Sequence, residues 1–241
     1  MRKSDSYTVF FAAIICIACS FTLSVTSALL RERQDEQSEL DRRLNILKAF
    51  DVPIRDAQGR KLGVQEVNRI FGEHIQEVVI DTASGQVVPN LSSFDLTRAQ
   101  IESREKLPLY EWRDGSEIRK VAFPTSGKGL WSTIYGYMAL DSDLDTILGV
   151  TFYRHGETPG LGGEISTDWF QNQFRGKKIL RNGKLQTFQI VKGRVADRYP
   201  SGNDHAVDGI SGATLTGKGI NQFLNRDLEL YEKYFAQVRK N

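Results

Sequence analysis

From Tyr7 to Leu30 the chain reads YTVFFAAIICIACSFTLSVTSALL, without one charged side chain. About 20 apolar residues carry a helix through a hydrocarbon core, so residues 7–30 are expected to form a transmembrane helix behind a short tail, residues 1–6. Charges then return at once, with Arg31, Arg33, Arg42 and Arg43 set among Glu32, Asp35, Glu36, Glu39 and Asp41. Within that stretch Leu40, Leu44 and Leu47 recur at helical spacing up to Pro53, which predicts a juxtamembrane helix over 31–50 that lifts the next domain off the bilayer. Gln65 to Ile75 predicts a further helix with Val67, Ile70 and Phe71 as its buried face. Residues 75–88, IQEVVIDTASGQVV, predict two short strands about a turn at Ala83-Ser84-Gly85. The stretch from Pro89 to Pro124 is polar and weakly patterned and predicts no element.

Sheet signal is clearest from Leu130. LWSTIYGYMAL and TILGVTFYRH flank a turn built from Asp141, Ser142, Asp143 and Asp145, a predicted hairpin. KKILRNGKLQTFQIVKG predicts another about Asn182-Gly183. Trp131, Tyr135 and Tyr137 alternate with smaller residues, as packed strand positions do. At the end, Ile220, Phe223, Leu224, Leu228, Tyr231, Phe235 and Val238 fall three or four apart and predict a long amphipathic helix. Strands and helices do not alternate strictly, so residues 51–241 are expected to form an α+β domain.

Charge and cysteine content narrow the function. With 32 basic and 30 acidic residues the net charge is +2, which gives no electrostatic footprint for nucleic acid. The two cysteines, Cys16 and Cys19, both lie in the apolar run, so the remainder holds neither a disulfide framework nor a cysteine-ligated metal. His74 and His205 have no neighbours at metal-ligand spacing, and no metal site is expected. Arg2 and Lys3 precede the apolar run, but the Lys/Arg bias does not set its orientation. A helix this near the start reads as an uncleaved signal anchor, with the N-terminus in the cytoplasm and the domain outside. Alternatives are a cleavable signal ending near Thr26-Ser27-Ala28, although typical apolar cores of such signals span only about 7–15 residues, and lipidation of Cys19.

The chemistry concentrates in DGISGATLTGKG, Asp208 to Gly219, a Gly/Ser/Thr loop that runs into the C-terminal helix. Such a junction offers free backbone N–H groups and the positive end of a helix dipole, a natural seat for phosphate, with Lys218 as an added charge. From Gly212 the residues match a nucleotide-binding P-loop up to Lys218, then fail, because Gly219 stands where a magnesium-holding Ser or Thr belongs. Helix capping by Ser211 or Thr214 is the plainer reading.

Asp208-Gly-Ile-Ser-Gly-Ala-Thr214 resembles the signal at which flavin transferases join the phosphate of FMN to a threonine hydroxyl. With the single N-terminal helix, GKGLWST from Gly127 and ETPGLGGE from Glu157, the chain resembles the covalent-FMN subunit of sodium-translocating NADH:quinone reductases over nearly its whole length. Its FMN-bearing counterpart in the related ferredoxin:NAD electron-transport complex is the runner-up. This resemblance implies an extracytoplasmic FMN domain at a bacterial inner membrane, relaying electrons between neighbouring membrane subunits without an NADH, quinone or acid–base catalytic site of its own. It implies FMN carried covalently by Thr214, with Ser211, Gly212 and Ala213 lining the phosphate and Asp208 bracing the loop or serving the transferase. Thr216 is the reserve acceptor. Glu157, Thr158, Gly160 and Leu161 are expected against the isoalloxazine ring. A tethered binding or sensor module without redox activity, or an assembly subunit with a vestigial flavin, would account for the anchor and the domain alone.

Overall fold

The computed structural model describes residues 5–56 and 58–240, so residues 1–4 of the expected N-terminal tail lie outside the described residues. The chain divides into two compact units, Met1–Arg42 and Arg43–Asn241. Helix α1, Asp5–Ala49, is one unbroken helix across both predicted N-terminal segments. Its apolar stretch is long enough to cross a membrane, and Phe10, Ile17, Phe21, Leu23 and Leu29 are exposed on it.

The second unit is an α+β domain around a five-stranded antiparallel meander in the order β1-β2-β3-β4-β5. Helix α2, Val64–His74, leads directly into β1, Ile75–Asp81. Beyond β1 the second predicted strand shrinks to one bridge, Ile80 to Val87. Helix α3, Arg98–Ser103, starts at a capping box in which the Thr97 hydroxyl accepts from the Gln100 amide. Strand β2, Lys106–Asp114, and most of β3, Glu117–Lys128, occupy the stretch whose sequence predicts nothing. The predicted hairpin is present as β4, Thr133–Leu140, and β5, Ile147–Arg154.

Both faces of this sheet are covered, which is why its first strands lack a polar/apolar alternation. Leu107, Leu109, Val121 and Phe123 enter the main core, whereas their neighbours Tyr110 and Ala122 pack with Ile46, Ala49 and Phe50 on the other face. Pro108 and Pro124 also argue against strand in any sequence reading.

After β5 the chain folds a Phe-rich platform from short pieces: α4, Asp168–Asn172; β6, Leu180–Arg181; β7, Lys184–Leu185; β8, Gln189–Ile190; α5, Val195–Arg198; and β9, Ala206–Val207. The β6–β7 turn uses Asn182 and Gly183, both with φ near +60°, at 53° and 73°, as a two-residue hairpin turn requires. Phe174 stacks on Phe188 with centroids 5.2 Å apart and meets Phe152 and Phe170. Helix α6, Thr214–Val238, closes the domain by packing along β3 through Ile220, Phe223, Leu224, Leu228, Tyr231 and Phe235. The approach is close at its N-terminal end, where a methyl on Gly219 would collide with the Lys128 carbonyl. Buried Asp227 then locks helix to sheet, accepting from Arg104 at 2.6 Å, Thr125 at 2.9 Å and the Ser126 amide at 3.0 Å.

Candidate functional site

The loop before α6 is shaped by its glycines and by Asp208. Gly209 passes so close to the Val191 carbonyl that no side chain fits there, and its amide donates to Gly193 at 2.9 Å. Asp208 Oδ1 accepts from the Val195 amide at 2.6 Å, while its own amide donates to Gln173 Oε1 at 2.9 Å. Asp208 and Gly209 together pin Val195 and Gly193 to the loop. Gly212 turns the chain at φ 75°, a conformation that disfavours any side chain. Ala213, the residue before the helix, contributes no side-chain cap. Among the described residues no side chain caps the first-turn N–H groups of this 25-residue helix, where a helix carries roughly half a positive charge.

Thr214 is the first residue of that helix and is exposed, as are Ser211, Gly212 and Lys218. Thr216, two residues on, is buried and differently employed. Its hydroxyl donates to Glu157 Oε2 at 2.6 Å. Glu157, only 5% exposed, also accepts from the amides of Leu130 at 3.3 Å, Trp131 at 2.9 Å and Ser132 at 3.3 Å. Burial pushes this carboxyl up, but the Thr216 hydroxyl and the three amides outweigh it and hold Glu157 below the usual range. The carboxylate is a clamp that ties the 130–132 turn to the first turn of α6. Methyl groups on Gly129 or Gly162 would lie 2.6 Å from Glu157 Oε1 or Thr216 Oγ1, so both glycines make room for the clamp.

Among the other residues singled out after β5, Thr158 lends its carbonyl to the amides of Leu161 and Gly163, and Gly160 has φ 74°. This is a tight turn with Thr158, Gly160 and Leu161 exposed, and Leu161 lies beside Gly212. Trp131 is not the packed strand residue that its alternation predicts. It precedes β4 and is 69% exposed, next to the less exposed Leu130 on the turn that Glu157 holds. Leu215, in the first turn of α6, is exposed as well.

A cleft of about 1140 Å³ opens beside the loop, lined by Asp208 to Thr214, one face of α6 and residues 187–194. Its floor rests on a polar ladder that the sequence reading misses. Asn221 accepts from and donates to the backbone of Ile190, at 2.7 and 3.1 Å, and Asn225 does the same for Phe188, at 2.7 and 2.8 Å. The two amides imitate a neighbouring strand for a segment whose edge faces a helix. Their only sequence signal is a pair of Asn four apart on the helix. Among the described residues no cluster of three or more His, Cys, Asp or Glu side chains is placed to hold a metal ion.

The family of the FMN-binding domain matches residues 129–229, from the clamped turn through the Asn ladder. The C subunit of the Na(+)-translocating NADH-quinone reductase of Yersinia pestis is 37% identical, over 93% of this chain and 89% of its own. The crystal structure of the same subunit from Parabacteroides distasonis superposes with a TM-score of 0.71 at 31% identity, covering 86% of this chain and 96% of that one. Shewanella oneidensis NqrC gives a TM-score of 0.67 at 29% identity, covering 86% and 100%. At 37% identity over 93% of this chain, the chain belongs to the NqrC family, the C subunit of the Na(+)-translocating NADH-quinone reductase.

Proposed function

We propose that this protein is the electron-relay subunit of a sodium-translocating NADH-quinone reductase, carrying FMN as a phosphoester of Thr214. Helix α1 anchors it in a bacterial inner membrane with its N-terminus in the cytoplasm and its domain outside, beside the other membrane subunits with which it exchanges electrons. The observation that carries the reading is the exposed Thr214 at the start of a 25-residue helix without a side-chain cap, behind the Asp208–Ala213 loop. Thr216 fits the role poorly, since its hydroxyl is buried and committed to Glu157.

The residues present suit the group. A phosphodiester keeps one negative charge, which the first-turn amides and the dipole of α6 stabilise by about 0.3–1 kcal/mol where exposed. Ser211, Gly212 and Ala213 approach without bulk, and Lys218 adds charge from the cleft. Leu161, Thr158, Trp131 and Leu215 supply exposed, mostly apolar surface suited to one face of a ring. Glu157 acts through others, holding the Trp131 turn against α6. When bound, the flavin supplies reversible electron uptake and release, and the protein contributes position and electrostatics.

The test is fluorescence of the denatured band after electrophoresis, comparing the wild type with Thr214→Ala, each co-expressed with a flavin transferase. A fluorescent wild-type band that is lost in the variant is expected. A band that survives in Thr214→Ala moves the attachment to another hydroxyl, and a dark wild type removes the flavoprotein reading in favour of a binding module.

A further inference from the structure

The cleft beside Thr214 carries more positive charge than Lys218, the one cation assigned to the tethered phosphate. Lys192, Arg194, Arg198 and Lys218 all line it and all are exposed, and none forms a salt bridge among the described residues. A fifth lining cation, Arg226, is held by Asp227 at 2.8 Å. The acidic lining residues are Asp208, whose carboxylate is engaged by the Val195 amide, and Glu229. In a chain of net charge +2, four cations without a carboxylate partner around one cleft form a local excess. The cleft is not built to enclose a small anion. Asn221 and Asn225 spend their amides on Ile190 and Phe188, and among the described residues no lining side chain has a buried polar atom left unpaired. These four cations are exposed, as cations are on surfaces that meet an oppositely charged protein.

Resting on the covalent reading of Thr214, we propose that this cationic wall is the docking surface for an acidic face of the flavin transferase. Attachment requires the Thr214 oxygen to bond to the FMN phosphorus of a flavin dinucleotide. The bond from that phosphorus to the bridging oxygen breaks, and the nucleoside monophosphate leaves with that oxygen. The hydroxyl proton passes to a base. Among the described residues nothing hydrogen-bonds the Thr214 hydroxyl, and the nearby carboxylates of Asp208 and Glu157 are engaged by backbone amides. The base therefore belongs to the transferase, which must close over the start of α6 and so cover the cleft rim. An enzyme that covers these four cations is recognised by carboxylates placed against them.

The experiment measures flavin transfer into the full chain in neutral detergent, with purified transferase and FAD, at low and high salt. It compares the wild type with Lys192→Glu/Arg194→Glu and with Arg181→Glu/Lys184→Glu, an equal charge change on the β6–β7 hairpin outside the cleft. Melting curves check that each variant is folded. For the cleft variant kcat/KM is expected to fall roughly ten-fold or more at low salt, through KM with kcat retained, and the difference is expected to shrink at high salt. The hairpin variant is expected to match the wild type. Three results overturn the proposal: equal losses in both variants, a loss in kcat alone, or a loss that appears only when anionic lipid is added, which assigns the wall to the membrane. A wild-type chain that accepts no flavin overturns the covalent reading beneath it, a different and separately visible outcome.

Discussion

Glu157→Gln tests whether the clamp is a stability element whose charge matters. In the wild type its carboxylate receives three amides and one hydroxyl, at 2.6–3.3 Å. Hydrogen bonds to a charged group contribute about 1.5–3 kcal/mol each, so four of them set a ceiling that full removal cannot reach. Leu130 and Trp131 are exposed, and their amides recover water once released, while the buried Thr216 hydroxyl does not. Glu157→Ala should therefore cost roughly 3–4 kcal/mol, and Glu157→Gln, which retains one carbonyl acceptor but turns an NH2 toward donors, about 1–2 kcal/mol. In a domain of this size each kcal/mol moves the melting midpoint by about 2–4 °C, which places the alanine variant near 10 °C below the wild type.

The sign of the pH dependence follows from the lowered carboxyl. Because Glu157 titrates below its ordinary value of 4.5 when folded, its contribution is complete above that value and is lost as pH falls through the native one. The gap between wild type and Glu157→Gln should be full near neutrality and close in acid. Asp143, held down to about 2, and Asp168, lowered by its hydrogen bond from Lys48, are common to both proteins and cancel in the difference. Thermal melts of the full chain in detergent across this range measure the gap. A glutamine variant as stable as the wild type near neutrality refutes the clamp, and a gap that persists unchanged in acid refutes its electrostatic origin. Combined with Thr216→Val, a coupling of about 1–2 kcal/mol is expected for so direct a contact.

Two further substitutions test how α6 is held. Gly219→Ala should destabilise, although helix propensity alone favours alanine by about 1 kcal/mol, because the new methyl meets the Lys128 carbonyl; a raised melting midpoint would show that helix and strand separate at no cost. Asp227→Asn removes the charge facing Arg104 and Arg226 and should cost about 3 kcal/mol, the lower end of such losses since both arginines reach solvent; a loss under about 1 kcal/mol in a denaturant titration contradicts that.

What the sequence discloses about this molecule divides along the range of the interactions that set it. The β4–β5 hairpin, the Asn182-Gly183 turn and α6 are specified by neighbours within a few residues, through turn chemistry and helical spacing, and all three stand where those signals place them. The Asp208–Thr214 loop is equally legible, because a backbone that must turn and then start a helix demands Gly212 at that point. Strands β2 and β3 escape because their inward and outward residues are both covered, by α6 on one side and by Ile46, Ala49 and Phe50 on the other. Pattern then carries no phase. Trp131 misleads for a related reason. The aromatic spacing continues from β4 into the turn before it, and only Glu157, 26 residues away, makes that turn a clamped loop with an exposed ring. The Asn221–Asn225 ladder and the Lys192–Arg198 wall depend on partners 31 and 37 residues distant, or on a cleft that exists only once α6 is docked. Local chemistry thus points to the atom that would carry the flavin. The machinery that presents that atom, and the surface that would receive the enzyme loading it, arise from contacts between segments and become visible only in the folded chain.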